Sequence, residues 1–342
     1  ALIAGILFIT AGFRNPKNNS HLSQPSTSLP ATENTLDTAT DASDSSEVLP
    51  QYSNPYADSL VRISGDSLPQ TSFLIADALK SILNIKQFHS VVITSCVDNA
   101  NTLYDSVLSN ALNSAFLANQ HHAPVLFYTH DSSNSHNVAR DNTMLLDYIN
   151  KNLEVGGMVY ILGDSTMVPL SLEESLREYS VLRIASNSCI DANLAVLRQA
   201  GIQSGQTVLV CNAQGSAGTI LSSALGLPVL LVDGNSQNLT TSQAEFLRTL
   251  SCNYCIIGGT SSISTSIENE IRSYGDTIRL TGKDRFEVSA LVGKHFFQNP
   301  DFSVIVYAED DLSALCSSTL AYATGAPILF SDDFNIPFFI PI

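Results

Sequence analysis

The sequence predicts an α/β protein built from tandem Rossmann-like modules with parallel sheets, and three observations support this. Short, uninterrupted apolar runs alternate with segments of helical apolar spacing, as expected for parallel strands that helices cover on both faces. Three sequence landmarks recur in the same order at a spacing of about 100 residues, the size of a small domain. The composition, 44% hydrophobic and 14% charged, fits a globular core.

The individual elements follow from these runs. Strands are predicted at Val91–Thr94, Pro124–Tyr128, Met158–Leu162, Thr207–Val210, Val229–Val232, Tyr254–Ile257, Ser303–Tyr307 and Ile328–Phe330. Helical spacing is found in Leu103–Ala118, Met144–Asn152, Gln243–Leu250 and Val288–Phe297. The alternation of strands and helices predicts a doubly wound layer architecture.

The landmarks define the repeat. An arginine-containing strand occurs at Val61–Gly65, Leu182–Ser186 and Ile278–Gly282, and a strand opened by proline occurs at Ala123–Leu126, Leu227–Leu230 and Ala326–Leu329. A strand that ends in a glycine turn occurs at Tyr160–Asp164 and Cys255–Gly259. We therefore predict modules at 60–180, 181–277 and 278–342, the last of them incomplete.

The segment before the modules is different in character. Residues 1–13 are apolar and have the length of a signal-peptide core, too short to span a bilayer, so we expect a truncated signal peptide or a membrane anchor. A strand of the fold is the alternative. Residues 14–59 are rich in Ser, Thr, Asn, Asp and Pro and predict a disordered linker. A signal peptide and a membrane anchor would both imply that the protein is exported.

The third module carries the most specific motif. Its opening, Arg279-Leu-Thr-Gly282-Lys-Asp284-Arg285-Phe-Glu287-Val-Ser, resembles the R-x-x-G-x-D-R-[YF]-E-T-[SA] opening of the cell-wall-binding repeat type 2 family. Ile256-Ile-Gly258-Gly259 followed by Ile263-Ser resembles the I-I-G-G…I-S segment of that family, and Gly325-Ala-Pro-Ile-Leu resembles its G-A-P-I-L-L segment. The resemblance covers about residues 60–342.

The resemblance implies a surface protein of Gram-positive bacteria. It implies three Rossmann-like modules packed around a pseudo-threefold axis, which together hold the protein non-covalently on an anionic polymer of the cell wall. Domains attached elsewhere in such chains often carry an enzyme or adhesin function. We therefore expect an extracellular protein of the cell wall or cell surface that has no cofactor and is not an enzyme. An anchor part of a surface enzyme and a membrane-tethered interaction protein are the alternatives.

The chain departs from the family pattern at several positions. Leu68 and Cys189 stand where the motif has its second arginine, and Ser186 replaces the glycine of the second module. Asn110, Gln214 and Ser313 stand where the family places Asp before Ala-Leu. The third module reaches Ile342 before any I-I-G-G strand, and we expect that the sequence is truncated there.

Four arginines are the candidates for polymer binding, because the planar guanidinium can form paired hydrogen bonds to phosphate. They are Arg62, Arg183, Arg279 and Arg285. The alternative is that the recurrent arginine pairs with a carboxylate such as Asp284 or Glu287 and serves the architecture. Gly65, Gly258, Gly259, Gly282 and Asp284 are expected to be structural motif residues. The formal charge of −16 argues against nucleic acid as a partner.

No catalytic or metal constellation is evident in the sequence. Cys252 and Cys255 form a Cys-x-x-Cys, but Cys255 enters a predicted strand, so we expect buried structural thiols. His121 and His122 are adjacent and point apart in regular structure, which is poor metal geometry. Gly258-Gly259 matches neither nucleotide-binding glycine motif and is expected to form a turn.

Overall fold

The computed structural model describes residues 6–10, 61–97, 104–130, 135–185, 188–215, 217–298 and 300–332. The predicted linker lies outside these residues, as does most of the predicted signal peptide or anchor. None of the described helices combines the length and the apolar character that crossing a membrane requires.

The predicted alternation of strands and helices is confirmed. The strands are β1 Ile6–Thr10, β2 Val61–Ile63, β3 Phe88–Cys96, β4 Val125–Thr129, β5 Leu153–Leu162, β6 Ser180–Ile184, β7 Thr207–Asn212, β8 Val229–Val232, β9 Asn253–Ile257, β10 Thr277–Leu280, β11 Phe302–Tyr307 and β12 Ile328–Ser331. The helices are α1 Leu68–Leu83, α2 Tyr104–Gln120, α3 Ser135–Asn152, α4 Leu170–Ser175, α5 Cys189–Ala200, α6 Ala217–Ser223, α7 Thr241–Arg248, α8 Thr265–Arg272, α9 Arg285–Phe296 and α10 Asp311–Thr324.

The strands form three four-stranded sheets, and the first two share one all-parallel topology. The strand orders are β4-β3-β5-β6 in the first sheet, β8-β7-β9-β10 in the second and β12-β11-β1-β2 in the third. Every pairing is parallel except the two made by β1, which runs antiparallel to both β11 and β2. In such open sheets the carboxyl ends of the strands form the edge where ligands bind.

The sheets are offset from the predicted modules by one strand. Strand β6, which contains Arg183, completes the first sheet, and β10, which contains Arg279, completes the second. Strand β2, which contains Arg62, lies in the third sheet although the first module begins with it. Each sequence repeat therefore opens with a strand that belongs to the neighbouring sheet, which links the three modules into a closed ring.

The helices show the pseudo-threefold arrangement directly. Helices α2, α6 and α10, which follow the first strand of each sheet, pack against one another at the centre. Helix α1 packs on α10, α5 packs on α2 and α9 packs on α6, so each module contacts the next in the same way. The predicted fold class is thereby confirmed.

The contact between the first two modules includes buried amides. Asn193 on α5 donates to Asn113 Oδ1 on α2 at 3.0 Å and to the Val229 carbonyl at 2.9 Å, and its own Oδ1 accepts from Leu231 N at 2.9 Å. Asn119 donates to the Ser223 carbonyl. Buried polar groups that are satisfied in this way fix one relative position of the helices.

The six cysteines are free thiols, and five of them are buried. Cys255 lies within β9 as predicted, and burial raises its pKa to about 12. Because a reactive cysteine needs a lowered pKa, Cys252 and Cys255 have the properties of structural residues.

Candidate functional site

Arg279 is held at the carboxyl edge of the second sheet by three groups. Its Nε donates to Glu268 Oε2 at 2.9 Å, Nη1 donates to the Gly258 carbonyl at 2.7 Å, and Nη2 donates to the Ile263 carbonyl at 3.1 Å. Only 11% of its side chain is exposed. The guanidinium thus joins the end of β9, the loop after it and helix α8.

Arg183 repeats this arrangement at the first sheet. Its Nε donates to Glu173 Oε1 at 2.5 Å, Nη1 to the Gly163 carbonyl at 2.6 Å and Nη2 to the Val168 carbonyl at 2.8 Å. The carbonyls and the glutamate stand at the same sequence spacing in both modules. We call each such set of one arginine, two carbonyls and one glutamate an arginine clamp.

The clamps favour the architectural alternative for these two arginines. The carboxylates are Glu173 and Glu268, so the suggestion that Asp284 or Glu287 is the partner was wrong for Arg183 and Arg279. Burial raises the pKa of Glu268, but hydrogen bonds from Arg272 and Arg279 together with their charges outweigh it, and the net pKa is lowered. In this geometry Arg183 and Arg279 hold the loops at the carboxyl edge of the sheets. Direct contact of these two arginines with a polymer stays a prediction.

The motif glycines are needed where the chain turns. Gly163 and Gly258 have φ of +121° and +128° and present the carbonyls that the clamp arginines bind. At Gly65 and Gly282 a Cβ atom would lie 2.7 Å and 2.8 Å from the backbone nitrogen of a first-turn helical residue. The strand therefore passes against the following helix only with glycine at these positions. A Cβ on Gly259 would approach the Thr281 hydroxyl at 3.2 Å.

Asp284 caps helix α9. Its Oδ1 accepts a hydrogen bond from Glu287 N at 2.8 Å, and Glu287 Oε2 accepts one from Lys283 N at 2.8 Å. Ser188 and Ser67 cap α5 and α1 at the equivalent positions. The aspartate of the motif therefore performs helix capping, for which serine is an equivalent residue.

Arg285 lies where the start of α9 meets the start of α10, a region we call the α9–α10 junction. Its Nη2 is 3.8 Å from Asp311 Oδ1, and its guanidinium stands over the Phe330 ring with 5.1 Å to the centroid. The side chain is 31% exposed. Unlike the clamp arginines, Arg285 forms one long ion pair with the residues that the structure describes, and its other donors are available there for another anion.

Two aspartates line the same junction. Burial raises the pKa of Asp310, against the hydrogen bonds that its carboxylate accepts from Ser313. Burial likewise raises the pKa of Asp311, with the charge of Arg285 acting in the opposite direction. The junction thus combines the partly exposed guanidinium of Arg285 with two carboxyl groups, Asp310 and Asp311, whose pKa values are raised.

Replacing Asp310 with Asn should stabilise the protein at neutral pH. The raised folded pKa means that the folded state binds the proton more tightly than the unfolded state, so this group favours folding at low pH and opposes it as the pH rises through the folded pKa. Asn keeps the N-cap of α10 and removes the partly buried charge. Thermal melts from pH 7 downward should show a gain for Asp310→Asn that disappears below the unfolded pKa of about 3.8.

Asp284→Asn is the matched control for this substitution. Asp284 caps α9 in the same way but is exposed. The Asp284→Asn substitution should change the melting temperature of the protein little, both at pH 7 and at low pH. A stability of Asp310→Asn that is independent of pH would contradict the assignment of an ionisation penalty to the junction.

Arg62 differs from the other three arginines. It is exposed on β2, and within the part of the chain that the structure describes its side chain has no hydrogen-bond or ion-pair partner. Its place in the third sheet is that of Arg183 in the first and Arg279 in the second. Among the described residues the clamp is thus complete at Arg183 and Arg279, whereas Arg62 has no clamp partner there.

The histidines do not converge. His121 stacks on Tyr160 and His122 stacks on Tyr322, with centroid separations of 4.8 Å and 6.1 Å. Across the described ranges no group of three or more His, Cys, Asp or Glu side chains is arranged to hold a metal ion.

Known proteins match both the sequence and the fold. The sequence model of the family described as Cell wall binding domain 2 matches residues 183–268 and 279–337. The first match begins at the clamp arginine of β6 and ends at the clamp glutamate of α8, and the second begins at the clamp arginine of β10. The amidase enhancer of Bacillus subtilis (strain 168) is 32% identical over 117 residues, which are 34% of this chain and 16% of that protein.

Two solved structures share the fold. Cwp6 from Clostridium difficile superposes with a TM-score of 0.62 at 17% sequence identity, over 86% of this chain and 44% of that chain. Cwp8 from Clostridium difficile superposes with a TM-score of 0.61 at 20% identity, over 78% of this chain and 44% of that chain. This chain thus spans less than half the length of each of these three proteins. The resemblance seen in the sequence is confirmed: residues 183–268 and 279–337 match the cell wall binding domain 2 family, and the protein is located outside the cell, at the cell wall or the cell surface.

Proposed function

We propose that the chain anchors an exported protein non-covalently by binding an anionic polymer of the cell wall, and that Arg285 at the α9–α10 junction makes a direct contact. The match of residues 183–268 and 279–337 to a cell-wall-binding family supports the wall as the partner. The carboxyl edge of the sheets, where the junction lies, is the usual ligand edge of this topology.

The partial exposure of Arg285 is the observation that carries the proposal. Its ion pair with Asp311, at 3.8 Å, is near the limit for a direct contact. Because burial disfavours the charged form of Asp311, this aspartate is a weak internal competitor for the guanidinium. A phosphate or carboxylate of the polymer can then occupy the free donors, and the apolar face of Phe330 holds the fork in place.

The clamp arginines have an indirect part in this proposal. Arg183 and Arg279 hold the loops at the same edge, so they shape the site without offering a free fork. Arg62, which is exposed, is the second candidate for a direct contact. The net charge of −16 opposes a polyanion at long range, so the attraction has to be local and should weaken as salt rises.

Arg285→Ala should reduce retention on isolated Gram-positive cell walls about tenfold or more, since one charge-assisted contact contributes about 1.5–3 kcal/mol. Co-sedimentation of the full chain with walls at two salt concentrations measures this effect. Circular dichroism should show an unchanged fold, because Arg285 is not part of a clamp.

Arg248→Ala is the matched control. Arg248 is an exposed arginine in the last turn of α7, at the opposite edge of the sheet, where β9 begins. Equal retention of Arg285→Ala and Arg248→Ala, with both variants folded, would argue against the junction as the binding site.

The relative from Bacillus subtilis supports a second candidate function. That protein is named amidase enhancer, and the shared 117 residues are 16% of it. We infer that modules of this kind also serve to hold a wall-active enzyme, or a protein that acts on one, at its substrate. Amidase activity on walls, assayed with and without the added chain, tests this: stimulation supports it, and an unchanged rate argues against it.

A further inference from the structure

A cavity of about 190 Å³ lies where the carboxyl ends of α2, α5 and α10 come together. Its walls come from all three predicted modules: Gln120 at the end of α2, Gln206 before β7, Gly226 before β8 and Tyr322 in the last turn of α10. Gln120 is exposed, so the cavity opens to solvent. It lies at the amino edge of the second sheet, whereas Arg285 lies at the carboxyl edge.

The walls of the cavity carry no formal charge. Among the described residues that line it, none is Asp, Glu, Lys, Arg or His. The carbonyl groups at a helix carboxyl end carry partial negative charge, and α2, α5 and α10 all end beside the cavity. An anion is therefore disfavoured there, and a cation finds no carboxylate with which to pair. The cavity fits a neutral, polar ligand.

Two amide side chains offer hydrogen bonds to such a ligand. Gln120 Nε2 donates to the Gly226 carbonyl at 2.9 Å, and Gln206 Oε1 accepts from Gln203 N at 3.0 Å. These contacts orient the two amides and engage one atom of each. Within the part of the chain that the structure describes, Gln120 Oε1 remains as an acceptor and Gln206 Nε2 as a donor. Because a hydroxyl group both donates and accepts, hydroxyl groups complement this pair.

Tyr322 supplies an aromatic wall whose position is fixed. A Cβ atom on Gly226 would collide with the Tyr322 ring, so the ring packs directly on the glycine backbone. The His122 ring lies nearly parallel to the Tyr322 ring, at an angle of 17° and with 6.1 Å between the centroids. A ring that the fold already holds in place loses little freedom when a ligand packs against it.

We propose that this cavity is a subsite for a single uncharged sugar ring. The C–H face of the sugar packs against Tyr322, and its hydroxyl groups form hydrogen bonds with Gln120 and Gln206. An apolar wall with a few well-placed polar groups is the usual composition of a small-molecule site. The cavity has the volume of about six water molecules at about 30 Å³ each, which is room for one ring. The subsite is separate from the proposed anion contact of Arg285, because it lies at the opposite edge of the sheet and disfavours anions.

Titration of the full chain with simple sugars, followed by backbone-amide NMR, tests the subsite. The probes are the methyl glycosides of glucose, mannose, galactose and N-acetylglucosamine. At least one of them should shift the amide signals of Gly201 and Gly226, which line the cavity, in a saturable manner. The uronic acid of a hexose that binds carries a carboxylate on the same ring and should bind at least about tenfold more weakly. Absence of a saturable shift with every neutral probe, or equal affinity of the neutral and the acidic sugar, would overturn the proposal.

Two substitutions place the sugar in the cavity. Tyr322→Leu keeps an apolar side chain but removes the aromatic face, and should weaken binding about tenfold. Gln206→Ala removes one hydrogen-bond donor and should weaken binding about threefold to tenfold. Should Tyr322→Leu fail to fold, Gln206→Ala, in a turn outside the helices and strands, provides the test alone.

Tyr307→Leu is the matched control. Tyr307 is also a partly exposed tyrosine, at 37%, but it ends β11 at the carboxyl edge of the third sheet. This variant should bind the sugar as the unsubstituted chain does. Unchanged affinity in a folded Tyr322→Leu or Gln206→Ala chain, or an equal loss in Tyr307→Leu, would contradict the assignment to the cavity.

The subsite and the proposed anchoring on an anionic polymer can fail independently. A chain that is retained on cell walls but binds none of the neutral sugars would overturn the subsite and leave the anchoring function in place. A chain that binds a neutral sugar through Tyr322 and Gln206 but is not retained on walls would support the subsite and contradict the anchoring function.

Discussion

Replacing Arg279 with Ala should lower the free energy of unfolding by about 3 kcal/mol, because two carbonyls lose their charged donor and Glu268 keeps only the half-exposed Arg272 as a partner. Glu268, with 15% of its side chain exposed, would lose its link to β10, and the Gly258 and Ile263 carbonyls would lose their donors. Urea denaturation followed by circular dichroism measures this loss. Arg279→Lys should recover only part of it, since a single ammonium cannot reach all three acceptors.

Arg272→Ala is the matched control, because Arg272 contacts the same glutamate. It donates to Glu268 Oε1 at 2.7 Å from a side chain that is 49% exposed. Exposed pairs contribute about 0–1 kcal/mol, so this variant should remain close to the unsubstituted protein. An Arg279→Ala chain of normal stability that no longer binds cell walls would instead identify Arg279 as a polymer ligand.

Gly234→Ala should destabilise the protein by about 3 kcal/mol, the upper part of the range for overpacking. A Cβ atom at Gly234 would lie 1.8 Å from the Ser262 carbonyl oxygen. Ser262 cannot move away easily, because its carbonyl accepts from Asn212 Nδ2 at 2.9 Å and its loop is held at both ends by Arg279. The clash therefore acts on the loop that the clamp fixes.

Gly201→Ala separates the steric effect from the conformational one. Gly201 has φ of +68°, but a Cβ there would have no neighbour within 4 Å. The left-handed conformation alone should cost about 1 kcal/mol. If thermal melts show that the Gly234→Ala protein is no less stable than the Gly201→Ala protein, the loop that contains Ser262 is not rigidly held.

Much of the fold could be predicted from local sequence. The buried strands are continuous apolar runs, and the observed β7 and β8 extend the predicted Thr207–Val210 and Val229–Val232 by at most two residues. Helix α3 begins nine residues before the predicted Met144, because its first half is polar and lacks a clear apolar period. The sheet in which the first strand of each module lies was not predictable in this way. Repeats define units of sequence, and they do not show that β6 and β10 complete the sheet of the preceding module.

The candidate site was only partly predictable. The recurrence of arginine at 183 and 279 was visible, but its partners Glu173 and Glu268 lie in short helices of the preceding sequence module. The spacing of about ten residues from the strand-ending glycine to the glutamate is the signal that could have identified them. The contacts of Arg285 with Asp311 and Phe330 join residues that lie 26 and 45 positions apart in one module, and local sequence does not encode such contacts.

Wall binding by the folded chain is the property on which the proposed anchoring function depends. The measurement is co-sedimentation of the full chain with isolated Gram-positive cell walls, before and after acid stripping of their anionic polymers. We expect strong retention on intact walls, loss of retention after stripping, and loss on intact walls for Arg285→Ala but not for Arg248→Ala. Retention that survives stripping, or a folded chain that binds neither wall, would contradict the proposed anchoring on an anionic polymer.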